Sequence, residues 1–213
     1  MTSTLTIART RERSRSSLWV PGLVLFILAA GFMTVMMVGT SMAPGYDVQG
    51  GAISDLGVIG ETAALFNGAL LAVGLLNIAS GYLLYRSHGH VWVFAVFLLA
   101  GLGAMGAGLV PLNTSVLHGI FALLAFVFFN VEALAAATLV TGPMRWVSVV
   151  AGLVGLAFVV LMVIGDAGNP GVFGPIGHGG AERMIVYPSM LWMMAFGGYL
   201  MAAPAGDRGL SSS

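Results

Sequence analysis

Six apolar stretches, each close to the ~20 residues that cross a hydrocarbon core, leave this chain few folds to adopt. They run from Trp19 to Thr40, Thr62 to Tyr85, Val91 to Val110, Val116 to Val140, Trp146 to Ile164 and Met184 to Ala203. A segment in lipid must satisfy its own backbone polar groups, and these runs are too long for barrel strands, so each predicts a helix. The expected fold is all-α, a polytopic membrane protein of six transmembrane helices. Only 8% of the residues are charged, against roughly 25% in soluble domains, which is too little polar surface for a water-soluble fold. Residues 19–203 are read as one six-helix domain, residues 1–18 as a basic N-terminal segment and residues 204–213 as a short tail.

The chain has no Lys, and its Arg residues fall on alternate connections. Arg9, Arg11, Arg13 and Arg15 precede the first stretch, Arg86 follows the second, Arg145 the fourth and Arg208 the sixth, with Arg183 as the exception. By the positive-inside rule this predicts both termini in the cytoplasm and a multi-pass protein of the cell membrane. The N-terminal Arg cluster reads as a topology signal, and a net charge of zero gives no basic face for nucleic acid. Ser41-Met42-Ala43 resembles a signal-peptidase site, but Trp19 to Thr40 is longer than a secretory h-region and Pro44 follows the cut, so a retained signal anchor is expected. No Cys is present, which excludes disulfides and thiolate ligands.

Connections on the inner side are short and those on the outer side carry most of the polar residues. Ser54, Asp55 and Glu61 precede the second stretch, Asn113-Thr114-Ser115 and His118 open the fourth, and Asp166, Asn169, His178, Glu182 and Arg183 lead into the sixth. One reading gathers Ser54, Asp55, His118, His178, Glu182 and Arg183 into a site for a lipid headgroup or small polar ligand, with Arg183 as the anion contact. A second makes Asp55, His118 and His178 zinc ligands of a membrane hydrolase, with Glu182 activating the bound water. A bland alternative has Ser54 and Asp55 capping a helix, Glu182 complementing the N-terminus of the sixth span, and the imidazoles bonded to loop carbonyls. Arg183 could equally pair with Glu182, Asp166 or Asp55.

Gly recurs at every third position from Gly165 to Gly180, which reads either as a tight extended backbone over the helix ends or as chance. Ala100, Ala104 and Gly108 form a small-residue stripe suited to close helix packing. Glu132 lies within the fourth stretch, where an ionisable group is costly. It is read as protonated and hydrogen-bonded to Asn77 on the second stretch, or as the relay of a proton-coupled carrier. No internal repeat supports the carrier architecture.

Three blocks together carry a resemblance. Pro44-Gly45-Tyr46-Asp47 through Ile53-Ser54-Asp55-Leu56-Gly57, Val110-Pro111 with His118-Gly119, and Gly179-Gly180-Ala181-Glu182-Arg183 with Tyr187-Pro188 and Trp192 resemble the bacterial membrane family called domain of unknown function 998. The resemblance implies a six-helix membrane protein and carries no activity over. Ile53-Ser54-Asp55, Glu61 and Phe66-Asn67 also resemble the six-span group related to the damage-regulated autophagy modulators, which implies lipid handling. Membrane lipids are therefore the expected partners.

Overall fold

The computed structural model describes residues 2–202, with side chains from Leu18 onward. The side chains of Arg9, Arg11, Arg13 and Arg15, together with Arg208 and the 204–213 tail, lie outside the described residues. Six α-helices follow in order: α1 Thr2–Met42, α2 Ala63–His88, α3 Val91–Leu109, α4 Leu117–Ala137, α5 Pro143–Asp166 and α6 Gly177–Ala202. Each is long and apolar enough to cross a membrane, and no strand occurs among the described residues. Consecutive helices pack on one another and α6 returns to α1, so the bundle closes as a ring, with α4 also touching α6.

Successive helices run in opposite directions, which gives the bundle two unlike ends. At one end the turns at residues 89–90 and 138–142 are short, and Gly89, at φ +79°, ends α2 in the left-handed region that Gly tolerates best. At the loop-rich end stand residues 43–62, 110–116 and 167–176, which include two short 3-10 helices, Ile53–Gly57 and Pro170–Ile176. The helix bounds differ from the sequence reading at α1, which begins seventeen residues before Trp19, and at α6, which begins seven residues before Met184. The Gly-rich stretch is accordingly 3-10 and α-helical, not an extended strap: Gly165 ends inside α5, and Gly177 to Gly180 form the first turn of α6.

Small residues set the helix spacing, as they must where lipid supplies no hydrophobic drive to association. Gly74 of α2 and Gly101 of α3 face each other backbone to backbone, while Gly103 lies against Ala125 of α4. Ala100 and Ala104 are buried, and Gly108 abuts the Asn67 carbonyl and Leu70, so the stripe serves packing within the chain.

Polar side chains buried within the ring join helices that apolar packing alone would leave free to slide. Asn130 of α4 donates through Nδ2 to the Phe126 carbonyl at 2.8 Å and to the Ile185 carbonyl of α6 at 3.1 Å. Its side-chain oxygen rests on Gly155 of α5, where any Cβ would collide with it. Trp192 Nε1 donates to Ser148 Oγ at 2.8 Å, which ties α6 to α5. Asn77 and Glu132 meet as the sequence predicts: Asn77 Nδ2 donates to Glu132 Oε1 at 2.5 Å and to the Phe97 carbonyl at 3.0 Å, joining α2, α3 and α4.

Gly155→Ala should lower stability by about 1–3 kcal/mol, the cost of overpacking a tight interface, whereas Gly198→Ala, whose Cβ meets nothing, should not. Thermal unfolding in detergent compares the two, and equal losses would contradict the three-helix joint at Asn130. Glu132→Gln keeps an acceptor for Asn77 and should unfold at the native temperature. Glu132→Ala strands a buried amide hydrogen and should cost about 1–3 kcal/mol in the same assay.

Candidate functional site

The first turns of α6 carry two adjacent charged residues that point to different flanks of that helix. Glu182 is 5% exposed, and its Oε2 accepts the Ile53 backbone N–H at 2.5 Å, at the start of the first 3-10 helix. Arg183 is 8% exposed and donates through Nη1 to the carbonyls of Val48, at 2.9 Å, and Gly179, at 2.8 Å. Its Nη2 donates to Tyr46 Oη at 2.8 Å, and the guanidinium carbon stands 5.7 Å from the Tyr46 ring centre. Burial holds the Tyr46 phenol above its ordinary pKa against the opposing hydrogen bond and charge of Arg183. The phenol therefore keeps its proton at neutral pH and donates to the Ala52 carbonyl at 2.8 Å.

These contacts fasten the long α1–α2 connection across the top of α6. Gln49 completes the clasp: its Nε2 donates to the Pro175 carbonyl at 2.6 Å, and its own carbonyl accepts Gly179 N–H at 2.8 Å. Gly179 has to lack a side chain here, because a Cβ would strike the carbonyls of Val48 and Gly51. Among the described residues the one ion pair is His178 Nε2 with Asp166 Oδ1, at 3.2 Å. The Arg183 guanidinium is thus directed to loop carbonyls and a phenol, not to a carboxylate.

His118 begins the second notable feature. It lies in the first turn of α4, 4% exposed, and its Nδ1 is 2.7 Å from the carbonyl of Val110, the residue that ends α3. A carbonyl can only accept, so Nδ1 carries a hydrogen, and in the neutral form of the ring Nε2 is then the atom with the free lone pair. That atom is buried and has no hydrogen-bond partner.

His118 stands where two cavities meet. One, of about 470 Å³, lies between α4 and α5 and reaches α6, with Asp166 and His178 in its wall. The other, of about 60 Å³, runs into the ring among apolar side chains including Phe32, Phe66, Phe129 and Met190. The two share Ser54, His118 and Glu182 as a polar neck, with Ala122, Phe126 and Ile185 as its apolar complement. Leu123 and Val163 line the larger cavity and are 44% and 52% exposed on the outer surface of the bundle, so its mouth opens sideways between α4 and α5. Phe173 is buried in one cluster with Val159, Met162 and Ile185, which line that cavity.

The six candidate residues of the sequence thus fall into separate groups. Ser54, His118, His178 and Glu182 line the larger cavity, joined by Asp166. Arg183 lines a different groove, shared with Met33, Thr40 and Tyr187 on the α1 flank. Asp55 lines none of the three cavities and sits within the 3-10 helix, where neither it nor Ser54 makes a capping bond. Among the described residues no three His, Asp or Glu side chains group as a metal centre requires, so Asp55 does not join His118 and His178. Glu132 forms a separate cluster on the α2 side of the ring.

Several residues with structural work escaped the sequence reading. Gln49 gave no signal at all. Tyr46 stood only within a familiar block, and Asn130 could have been found as an amide inside an apolar span.

The fold and these blocks define a six-helix membrane protein of the multi-pass type. A family described as protein of unknown function (DUF998) matches residues 26–199, and the chain belongs to that family. No curated protein and no solved structure matches it.

Arg183→Ala should free the 43–52 segment, costing about 1.5–3 kcal/mol for hydrogen bonds to a charged group. Arg183→Lys should not restore it, since an ammonium cannot span the atoms that the guanidinium fork reaches. Limited proteolysis of reconstituted protein reports this as faster cleavage within residues 43–52, and native resistance in both variants would refute the clasp.

Proposed function

We propose that this protein binds a membrane lipid or similarly amphipathic molecule that enters between α4 and α5 and lodges its polar head at the Ser54, His118 and Glu182 neck. The observation that carries the reading is His118, whose side chain borders both cavities and whose Nε2 is buried without a hydrogen-bond partner. Leaving such an atom unpaired costs about 1–3 kcal/mol unless something occupies the site. The larger cavity falls within the ~300–1,000 Å³ range of small-molecule sites. Its sideways mouth suits a ligand arriving from the bilayer, and the apolar inner cavity suits part of an acyl chain.

The Arg pattern supports placing the loop-rich end on the outer side of the cell membrane, since Arg86 and Arg145 belong to the opposite end. The ligand would then come from the outer leaflet. Because the chain has no native Cys, single Cys substitutions report this placement. Asn113→Cys should react with a membrane-impermeant maleimide on intact cells and Arg86→Cys should not; the reverse pattern would invert the topology.

Gly119 is exposed at the mouth, and nothing lies within 4 Å of a Cβ built there. Gly119→Trp should place an indole across the opening without disturbing the fold, while Gly119→Ala serves as control. With a diazirine-bearing phospholipid in nanodiscs, native protein and the Ala variant should be labelled on the 118–126 and 159–166 segments. The Trp variant should lose most of that labelling. Labelling spread evenly over all lipid-facing helices, unchanged by Trp, would refute the site.

A further inference from the structure

We infer that the head received at the neck is an ammonium, carried on an apolar-tailed amine. This deepens the reading above and rests on it. The neck offers a polar head acceptor atoms and one hydroxyl, that of Ser54. His118, in its neutral form, presents a lone pair at Nε2, because the bond from Nδ1 to the Val110 carbonyl takes the ring hydrogen on the far side. Glu182 presents its second carboxylate oxygen, which receives no hydrogen bond from a described residue, while Oε2 is occupied by Ile53. At the cavity's outer wall Asp166 adds another carboxylate, paired with His178 at 3.2 Å.

No guanidinium or lysine ammonium stands among these groups to hold an anion. The chain has no Lys, and among the described residues no Arg lines either cavity. The Ile53 amide, on the α1–α2 connection, is consumed by Glu182. Arg183 adjoins Glu182 in sequence but faces the α1 flank, fixed by three loop or helix carbonyls and the Tyr46 phenol. An anionic head at the neck would meet a lone pair and carboxylates. An ammonium would meet acceptors, with the Phe126 side chain of the neck as further apolar and aromatic lining suited to a cation. The clasp that removes Arg183 from the cavity therefore also sets the sign of the ligand.

The same chemistry is available from an aminophospholipid or from a free long-chain amine, and the experiment separates them. Full-length protein is placed in phosphatidylcholine nanodiscs doped with phosphatidylethanolamine or phosphatidylglycerol of identical chains, and retained lipid is read by native mass spectrometry. Native protein should retain phosphatidylethanolamine at least about tenfold over phosphatidylglycerol, the equivalent of one charge-assisted hydrogen bond. Glu182→Gln, which still accepts from Ile53, and His118→Ala should each erase that preference. Dodecylamine should compete where dodecyl sulfate does not, which assigns recognition to the ammonium itself. If dodecylamine competes but neither glycerophospholipid is preferred, the source is a free amine and the inference stands. Equal retention of both lipids without competition by dodecylamine, or preference for phosphatidylglycerol, overturns the ammonium while leaving an amphipathic site. Retention that Gly119→Trp leaves unchanged overturns the site itself.

Discussion

The loop-rich end of this protein depends on two consecutive charged residues that a helix sends in different directions. Neighbouring positions on an α-helix lie about 100° apart, so Glu182 and Arg183 reach opposite flanks of α6 from the same turn. Glu182 takes the amide at one end of the Ile53–Gly57 helix, and Arg183 takes the carbonyls that precede it. Between them they fix the α1–α2 connection, whose backbone polar groups would otherwise lie unpaired near the membrane surface. Neither contact is an ion pair. Arg183 is satisfied by carbonyl dipoles and the Tyr46 phenol, and Glu182 accepts one backbone amide through Oε2, which leaves both in a fixed geometry.

The cavities follow from this arrangement combined with the helix spacing. Near the short-loop end α4 and α5 touch through Asn130, Gly152 and Gly155, with no room between them. Toward the loop-rich end the residues facing that interface change from Gly to Val159, Met162 and Val163 on α5, opposite Gly119, Ala122 and Leu123 on α4, and a cavity takes the place of contact. The clasped segment supplies Ala52 and Ser54 to its roof. His118 is turned toward the junction because its other ring nitrogen is tied to the end of α3. Each element of the neck is thus held by a bond made elsewhere, which is the condition for a preorganised site.

How much of this the sequence disclosed depended on whether the governing interaction was local. Six spans were legible because length and apolarity alone determine a membrane helix, and the Asn77–Glu132 contact followed from placing two costly groups at similar depth. The start of α6 was misplaced because Gly reads as a loop former. Here Gly179 is selected by the close approach of the Val48 and Gly51 carbonyls, a contact across more than a hundred residues that no local pattern encodes. The same limit explains the candidate site. Ser54, His118, His178 and Glu182, grouped in the sequence by membrane depth, line one cavity, but depth says nothing of azimuth, so Arg183 and Asp55 were grouped with residues whose cavity they do not line. Gln49 was invisible because its role lies in bonds to the Pro175 carbonyl and the Gly179 amide, neither of which has a side-chain signature.

The central claim is that His118 Nε2 faces a ligand position where a sideways-opening cavity meets the interior of the ring. Cryo-electron microscopy of the protein in nanodiscs made from native membrane lipids addresses it most directly. The account predicts density for a polar head within hydrogen-bond distance of His118 Nε2 and Glu182, continuous with a chain that leaves between Leu123 and Val163. A resolved neck with α4 and α5 in contact along their full length, or with the His118 ring turned to place Nε2 on a protein group, would contradict it.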